Sequence, residues 1–182
     1  MAHAGKVIEN PRTQQRLTFL HTAGETAGEL LEFEVAAEAA GASLPPHVHP
    51  QQEERIEVVA GRVRIRIAED VRVLTVGEAA SVPPGVAHSW ACAGSRTRVR
   101  VRVAPAADAE TLLETMYGLS RDGKTNAKGM PKPLQMAVLA HAHRREMAFA
   151  GPPVALQRAV LGVLAPIGRL RGYRARYARY SD

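Results

Sequence analysis

The sequence contains one cysteine, Cys92, among 182 residues, so no disulfide can form within the chain. Aromatic residues are also scarce, at 4%, whereas hydrophobic residues as a whole make up 46%. The core must therefore be built mainly from Val, Leu, Ala and Ile. The longest apolar run, residues 159–167, is about half as long as a membrane-spanning helix, and the N-terminus shows no signal-peptide pattern. These absences favour a soluble, cytoplasmic protein with one main domain.

Acidic residues are rare in the last third of the chain. Residues 1–120 hold 12 basic and 15 acidic residues, a net charge of −3, and residues 121–182 hold 12 and 3, a net charge of +9. The acidic first part argues against a nucleic-acid partner. We expect the basic helices to pack on this part or on a second subunit in a homodimer, burying four apolar side chains: Leu161, Leu164, Ile167 and Leu170. Contact with an anionic membrane surface, without stable insertion, and contact with nucleic acid are the less favoured alternatives.

Strict alternation of apolar and polar residues is present in the first part. Residues 29–36, 61–67 and 96–103 each place an aliphatic or aromatic side chain at every second position, and arginine or glutamate at most positions between. A period of two predicts strands with one buried and one solvated face. Turn signals separate these short strands, so the pattern is typical of an antiparallel sandwich or barrel.

The pattern changes after Pro105. Helices are predicted over residues 108–118, with Asp108 as N-cap, over 134–149 and over 154–177, where Pro166 should kink or split the last helix. We therefore expect two parts: a β-barrel domain over residues 1–105 and a helical extension over residues 106–182.

Four side chains form a candidate metal site. His47 and His49 lie two apart on a predicted strand, so both face the same side, and Glu54 follows after a short turn. His88 comes later, beside a second Pro-Gly turn. Three imidazoles and one carboxylate suit a single divalent transition ion, namely Fe, Mn, Co, Ni, Cu or Zn. Four ligands on an octahedral ion leave two positions open for water, substrate or dioxygen.

The spacing of these residues from nearby glycines and a proline resembles the two motifs of the cupin superfamily. The first motif is Gly41, five residues, His47, one, His49, four, Glu54, six, Gly61, and the second is Gly77, five, Pro83, one, Gly85, two, His88. The resemblance covers about residues 28–104. It departs from the family pattern at Cys92, where an asparagine is usual. We expect Cys92 to be a small buried hydrophobic residue.

The resemblance implies a mainly β fold, a cupin-type double-stranded β-helix or jelly-roll barrel, followed here by the C-terminal α-helices. It also implies that His47, His49, Glu54 and His88 bind the metal. The parity of the strands adds a predicted substrate pocket made by Phe33, Ile56, Val58 and Trp90. Glu54 is the candidate catalytic base.

The family implies a small-molecule metalloenzyme, with an oxygen-dependent, dioxygenase-like reaction favoured. Two alternatives remain open. The chain could be a non-catalytic cupin that binds a metal and a small ligand, or a non-oxidative isomerase, cyclase or decarboxylase.

Two further motifs are not expected to function. Residues 118–125, GLSRDGKT, fit the letters of a phosphate-binding loop, but Gly129, Pro131 and Pro133 prevent the long helix that such a loop needs, so no nucleotide partner is expected. His141 and His143 are two apart on a predicted helix and would face different sides. We expect both to be exposed or to cap the helix.

Overall fold

Two antiparallel sheets form the β-rich part of the protein, whose computed structural model describes residues 2–41 and 45–181. The strands are β1 Val7–Asn10, β2 Gln15–His21, β3 Leu31–Ala37, β4 His47–Val48, β5 Glu53–Ala60, β6 Arg62–Ile67, β7 Asp70–Thr75, β8 Ala79–Val82, β9 His88–Cys92, β10 Thr97–Ala104 and β11 Ala148–Phe149. One sheet has the order β1-β2-β3-β10-β5-β8, and the other has the order β11-β4-β9-β6-β7. The predicted mainly β, jelly-roll architecture is confirmed.

The core lies between the sheets and follows the alternation seen in the sequence. Cross-strand register aligns inward residues in rows; one row contains Val101 opposite both Phe33 and Ile56. Val101 and Ile56 are fully buried, and Phe33 is nearly so. The alternating arginines lie on the outer face, where Arg102 pairs with Glu32 of the adjacent strand at 2.8 Å. The period of two therefore indicated the correct buried face.

The helices follow the β-rich part: α1 Ala109–Arg121, α2 Pro133–Ala142, α3 Val154–Leu170 and α4 Ala178–Ser181. Asp108 precedes α1 as expected, but its side chain makes no capping hydrogen bond. The residues Gly118 to Arg121 belong to the last turns of α1, and Lys124 follows a turn. A phosphate-binding loop needs a strand before it and a helix at the lysine, and this segment has neither.

The predicted helix over residues 134–149 is wrong in its second half. α2 stops at Ala142, and the backbone N–H groups of Glu146 and Met147 both donate to the carbonyl oxygen of His143 in a turn. Ala148 and Phe149 then pair with β4 as strand β11. Of the two expectations for His143, exposure or a position at the helix cap, the structure shows the second: it is the C-cap residue of α2 and is buried at 2% exposure. The extension is therefore not wholly helical.

The last long helix is continuous through Pro166 and ends seven residues earlier than predicted. Gly172 has a φ of 85° and donates to the carbonyl oxygen of Arg169, while Tyr173 donates to that of Gly168. This double hydrogen bond with a left-handed glycine is the Schellman motif, which closes a helix. The stop signal was present in the sequence as Gly172.

Helix α3 packs on α2 more than on the barrel. Leu161 and Leu164 are half-buried, as expected, but Ile167 and Leu170 are exposed at 40% and 89%. All four side chains were expected to be buried. Contacts within this chain do not bury Ile167 and Leu170. Among the described residues, no helix has the length and apolar character needed to cross a membrane.

Candidate metal centre

Strand pairing brings the four candidate ligands to one end of the barrel. His47 on β4 lies directly opposite His88, the first residue of β9. Glu54 is at the start of β5, and His49 follows β4 by one residue. One ligand atom from each of the four side chains lies within 4.8 Å of those of the others. The arrangement could hold a single metal ion.

Glu54 and the three imidazole rings form a compact group. Nε2 of His88 lies 2.7 Å from Oε2 of Glu54, and Nε2 of His49 lies 3.9 Å from the same oxygen. The rings of His47 and His88 have centroids 4.3 Å apart. The side chains of His47, His88 and Glu54 are buried, and that of His49 is half-buried. The carboxylate therefore lies between the rings, on the side where an ion would bind.

Each histidine is oriented by a backbone carbonyl group. The acceptors are the oxygens of Pro45, Glu146 and Val86, which lie 2.9, 2.6 and 3.1 Å from Nδ1 of His47, His49 and His88 respectively. Because a carbonyl oxygen can only accept, each Nδ1 carries the proton, and Nε2 is the nitrogen that is available to a metal. Hydrogen bonds of this kind are usual behind metal-binding histidines.

Burial and charge shift the pKa values of three residues in the cluster. Burial lowers the pKa of His47 to about 4, so this imidazole is neutral at physiological pH. Burial alone would raise the pKa of Glu54, but the hydrogen bond with His88 and the neighbouring imidazoles outweigh it and hold that pKa below its ordinary value. Burial also opposes protonation of His88, but the hydrogen bond with Glu54 and its negative charge raise the pKa of His88. Glu54 is thus an ionised carboxylate.

A cavity of about 140 Å³ opens beside the cluster. His47, His49 and Glu54 form part of its wall, together with Phe33 and Trp90. Most of the remaining wall is apolar. Two of the four predicted pocket residues therefore line the cavity.

Ile56 and Val58, the other two predicted pocket residues, are not among the residues that line the cavity. They face inward, at 0% and 1% exposure, but they belong to the packed core. The cavity follows β2 and β3 on one side of the barrel, whereas these residues lie on β5, between β10 and β8. Strand parity determines which side chains face inward, but not which of them the core covers.

Several residues of the site come from the C-terminal extension, and no motif in the sequence indicated them. The carbonyl group of Glu146 orients His49, and Met147 and Phe149 line the cavity. Gln157 of α3 holds Phe149, because its side chain accepts from the backbone N–H of Phe149 at 3.2 Å and donates to its carbonyl oxygen at 2.8 Å. These contacts attach α3 to β11, which pairs with β4, the strand that bears His47.

Cys92 is the small buried residue that was expected. It is 2% exposed and pairs with Val63 on β6. Burial raises the pKa of its thiol, which lowers the fraction of reactive thiolate.

Comparison with known proteins agrees with this fold and with the two motifs. Residues 34–104 match the family described as the cupin domain. This part of the chain therefore resembles a cupin domain. The extension, including the part of it that contacts the metal cluster, lies outside the matched residues.

Individual proteins resemble the chain over limited lengths. A curated relative, quercetin 2,3-dioxygenase of Bacillus subtilis, is 30% identical over 76 residues, which are 42% of this chain. The matched part is 23% of that relative, so the chain spans less than a quarter of its length. The structure of KdgF from a Halomonas species is similar with a TM-score of 0.50 and 16% identity, over 57% of this chain and 91% of that one. An RmlC-like cupin from Shewanella frigidimarina has a TM-score of 0.49 and 20% identity, over 60% and 96%.

Proposed function

We propose that this cupin is a metal-dependent enzyme that acts on a small organic molecule in an oxygen-dependent, dioxygenase-like reaction. The observation that carries the proposal is the convergence of His47, His49, Glu54 and His88, with all three imidazoles oriented by backbone carbonyl groups. The partial identity to a dioxygenase favours an oxidative reaction.

The four side chains would hold one transition metal ion through three Nε2 atoms and one carboxylate oxygen. Such an ion polarises an anionic or enolic substrate oxygen and, where it is redox-active, supplies the chemistry that dioxygen requires. Imidazole and carboxylate ligands together suit Fe, Mn, Co, Ni, Cu or Zn better than Ca or Mg.

Glu54 is the residue proposed to move a proton. Its carboxylate is ionised and Glu54 lines the cavity, so it can accept a proton from a substrate hydroxyl group when it leaves the metal during turnover. Without a metal, Nε2 of His88 is hydrogen-bonded to this carboxylate; with a metal bound, both groups would hold the ion. The apolar wall, with Phe33 and Trp90, excludes water around the bound substrate.

The first experiment measures metal content in protein purified without chelator. We expect about one transition metal ion per chain in the wild type, a sharp loss in His49→Ala and His88→Ala, and no loss in the control His141→Ala, which replaces a half-buried histidine outside the cluster. Equal loss in all three variants would contradict the ligand assignment.

The second experiment tests the reaction type. Protein loaded with Fe(II) without oxygen should give the spectroscopic signal of an iron–nitrosyl adduct when nitric oxide is added, because two positions remain open. Dioxygen consumption should then follow the addition of quercetin or of small enols and catechols, and should fall in Glu54→Gln. Protein that binds only zinc and consumes no dioxygen would favour the non-oxidative or the purely ligand-binding alternative.

A further inference from the structure

The cavity beside the metal cluster is long and narrow. One strand and one helix run along the cavity, and the spacing of their lining residues gives two separate estimates of its length. On β3, Leu31 and Val35 both line it and are four residues apart, which is about 13 Å in a strand. On α1, Ala109 and Met116 both line it and are seven residues apart, which is about 11 Å in a helix. We call this space, between β3 and α1, the channel.

One end of the channel is the metal cluster. Glu54, Val103 and Leu31 lie side by side on three neighbouring strands, and all three line the channel. Moving along β3 from Leu31 to Val35 therefore leads away from the metal ligands.

The other end lies near the end of α1. Ser120, eleven residues beyond Ala109, donates a hydrogen bond to the side chain of Asn10, which lines the channel. A Cβ atom at Gly129 would lie 3.0 Å from Nδ2 of Asn10, so the loop that contains Lys128 and Gly129 borders this end.

The walls between the two ends are apolar and adaptable. Every methionine of the chain other than Met1 lines the channel: Met116, Met130, Met136 and Met147. Methionine has three rotatable bonds and adjusts to irregular apolar ligands. Apart from the histidines, two charged side chains line the channel, the carboxylate of Glu54 and the ammonium group of Lys128. They lie at opposite ends. The middle of the channel thus offers no charged partner.

We propose that the channel binds a long, narrow apolar molecule that carries one oxygen-rich head group, with the head at the metal cluster and the apolar body extending along Phe33 and the methionine wall towards Lys128. This proposal rests on the proposed function, because the head is the part that would meet the metal. A straight-chain carboxylate is the simplest probe of this shape. Each methylene group that enters the channel should tighten binding about fourfold, from the usual free energy of burying a CH₂ group.

The main experiment is a chain-length series measured by calorimetry on zinc-loaded protein. Zinc has no redox chemistry, so the probes are not oxidised. From butanoate to octanoate the affinity should rise about two hundredfold, and the gain should stop once the chain exceeds the channel. Quenching of Trp90, which is the single tryptophan and lines the channel near the cluster, should accompany binding. An affinity that does not change with chain length would overturn the proposal.

A matched pair of variants locates the apolar body. Met116→Trp places a bulky side chain in the wall about 11 Å from Ala109, so octanoate should lose at least tenfold in affinity while butanoate stays within about twofold. Leu156→Trp adds the same side chain on α3 at an exposed position outside the channel and should change neither. Equal effects of both variants, or an equal loss for both probes in Met116→Trp, would contradict the proposed path.

Two controls fix the orientation of the head group. Removing the metal with a chelator should weaken every probe by a similar factor and leave the increase per methylene unchanged. Lys128→Gln should change affinity less than about twofold; a large loss in this variant, with none on chelation, would reverse the orientation and overturn the proposal. Protein that binds metal but shows no dependence on length refutes the channel proposal alone. Protein that binds no metal but keeps that dependence refutes the proposed function instead.

Discussion

Two glycines of α3 should respond in opposite directions to the same substitution. Gly162 is exposed and has nothing within 4 Å of a built Cβ atom, whereas a Cβ atom at Gly168 would lie 2.6 Å from Cγ2 of Val138 and 2.9 Å from the backbone oxygen of Leu134. Both neighbours of Gly168 belong to α2, and a backbone oxygen inside a helix cannot move aside easily. The pair therefore tests how closely α3 packs on α2.

The expected magnitudes follow from two terms. Replacing glycine by alanine within a helix stabilises by about 1 kcal/mol, so Gly162→Ala should raise the free energy of unfolding by about that amount. Gly168→Ala gains the same term, but overpacking a tight contact costs about 1–3 kcal/mol. Both distances are shorter than real Cβ contacts allow, so the cost should lie at the upper end, about 2–3 kcal/mol. We expect a net loss of about 1–2 kcal/mol after these terms.

Urea denaturation followed by circular dichroism measures both variants under the same conditions. Their free energies of unfolding should differ by about 2–3 kcal/mol, with unchanged slopes against urea concentration. In a protein of this size, the difference in melting temperature should be about 5–10 °C. If Gly168→Ala were as stabilising as Gly162→Ala, α3 could not lie on α2 at the distance described.

Three further predictions concern the extension. Gln157→Ala should weaken metal binding about tenfold, because it releases the backbone of Phe149, which pairs with His47. The control Arg158→Ala, at the exposed neighbouring position, should not weaken it. Competition with a fluorescent zinc chelator measures the metal affinity of both variants. ATP with Mg²⁺ should produce no thermal shift, and binding that disappears in Lys124→Ala would show that residues 118–125 do form a phosphate site. Deleting residues 152–182 should lower the melting temperature or cause aggregation, since it uncovers the side of α2 on which α3 packs.

The proximity of the four candidate ligands could be predicted from the sequence because it follows from short-range spacing. His47 and His49 share a face through the period of a strand, and the turn after them is short enough to return Glu54 to the same place. His88 is distant in sequence, but its distances from Gly85 and Pro83 match a known motif. The buried faces of β6 and β10 could be predicted for a similar reason, since each follows from alternation within one segment.

The end of α2 could not be predicted in the same way. Residues 143–149 include arginine, glutamate, methionine and alanine, which all favour helix, and contain no glycine or proline. They leave the helix because Ala148 and Phe149 find backbone partners on β4, and because the carbonyl group of Glu146 becomes the acceptor for His49. Tertiary hydrogen bonds thus outweighed a favourable local propensity.

The end of α2 at Ala142 also explains how the C-terminal extension contributes to the candidate site. The cupin match ends at residue 104, yet the hydrogen bond that fixes the tautomer of His49 comes from Glu146. If α2 continued past Glu146, the carbonyl group of Glu146 would accept a hydrogen bond within the helix. Because the chain turns at His143 instead, this carbonyl group can accept from His49. Gln157 then holds the strand that follows this turn. The C-terminal part of this chain therefore does more than cover the barrel: it supplies the orientation of one proposed ligand and one wall of the cavity in which a substrate would bind.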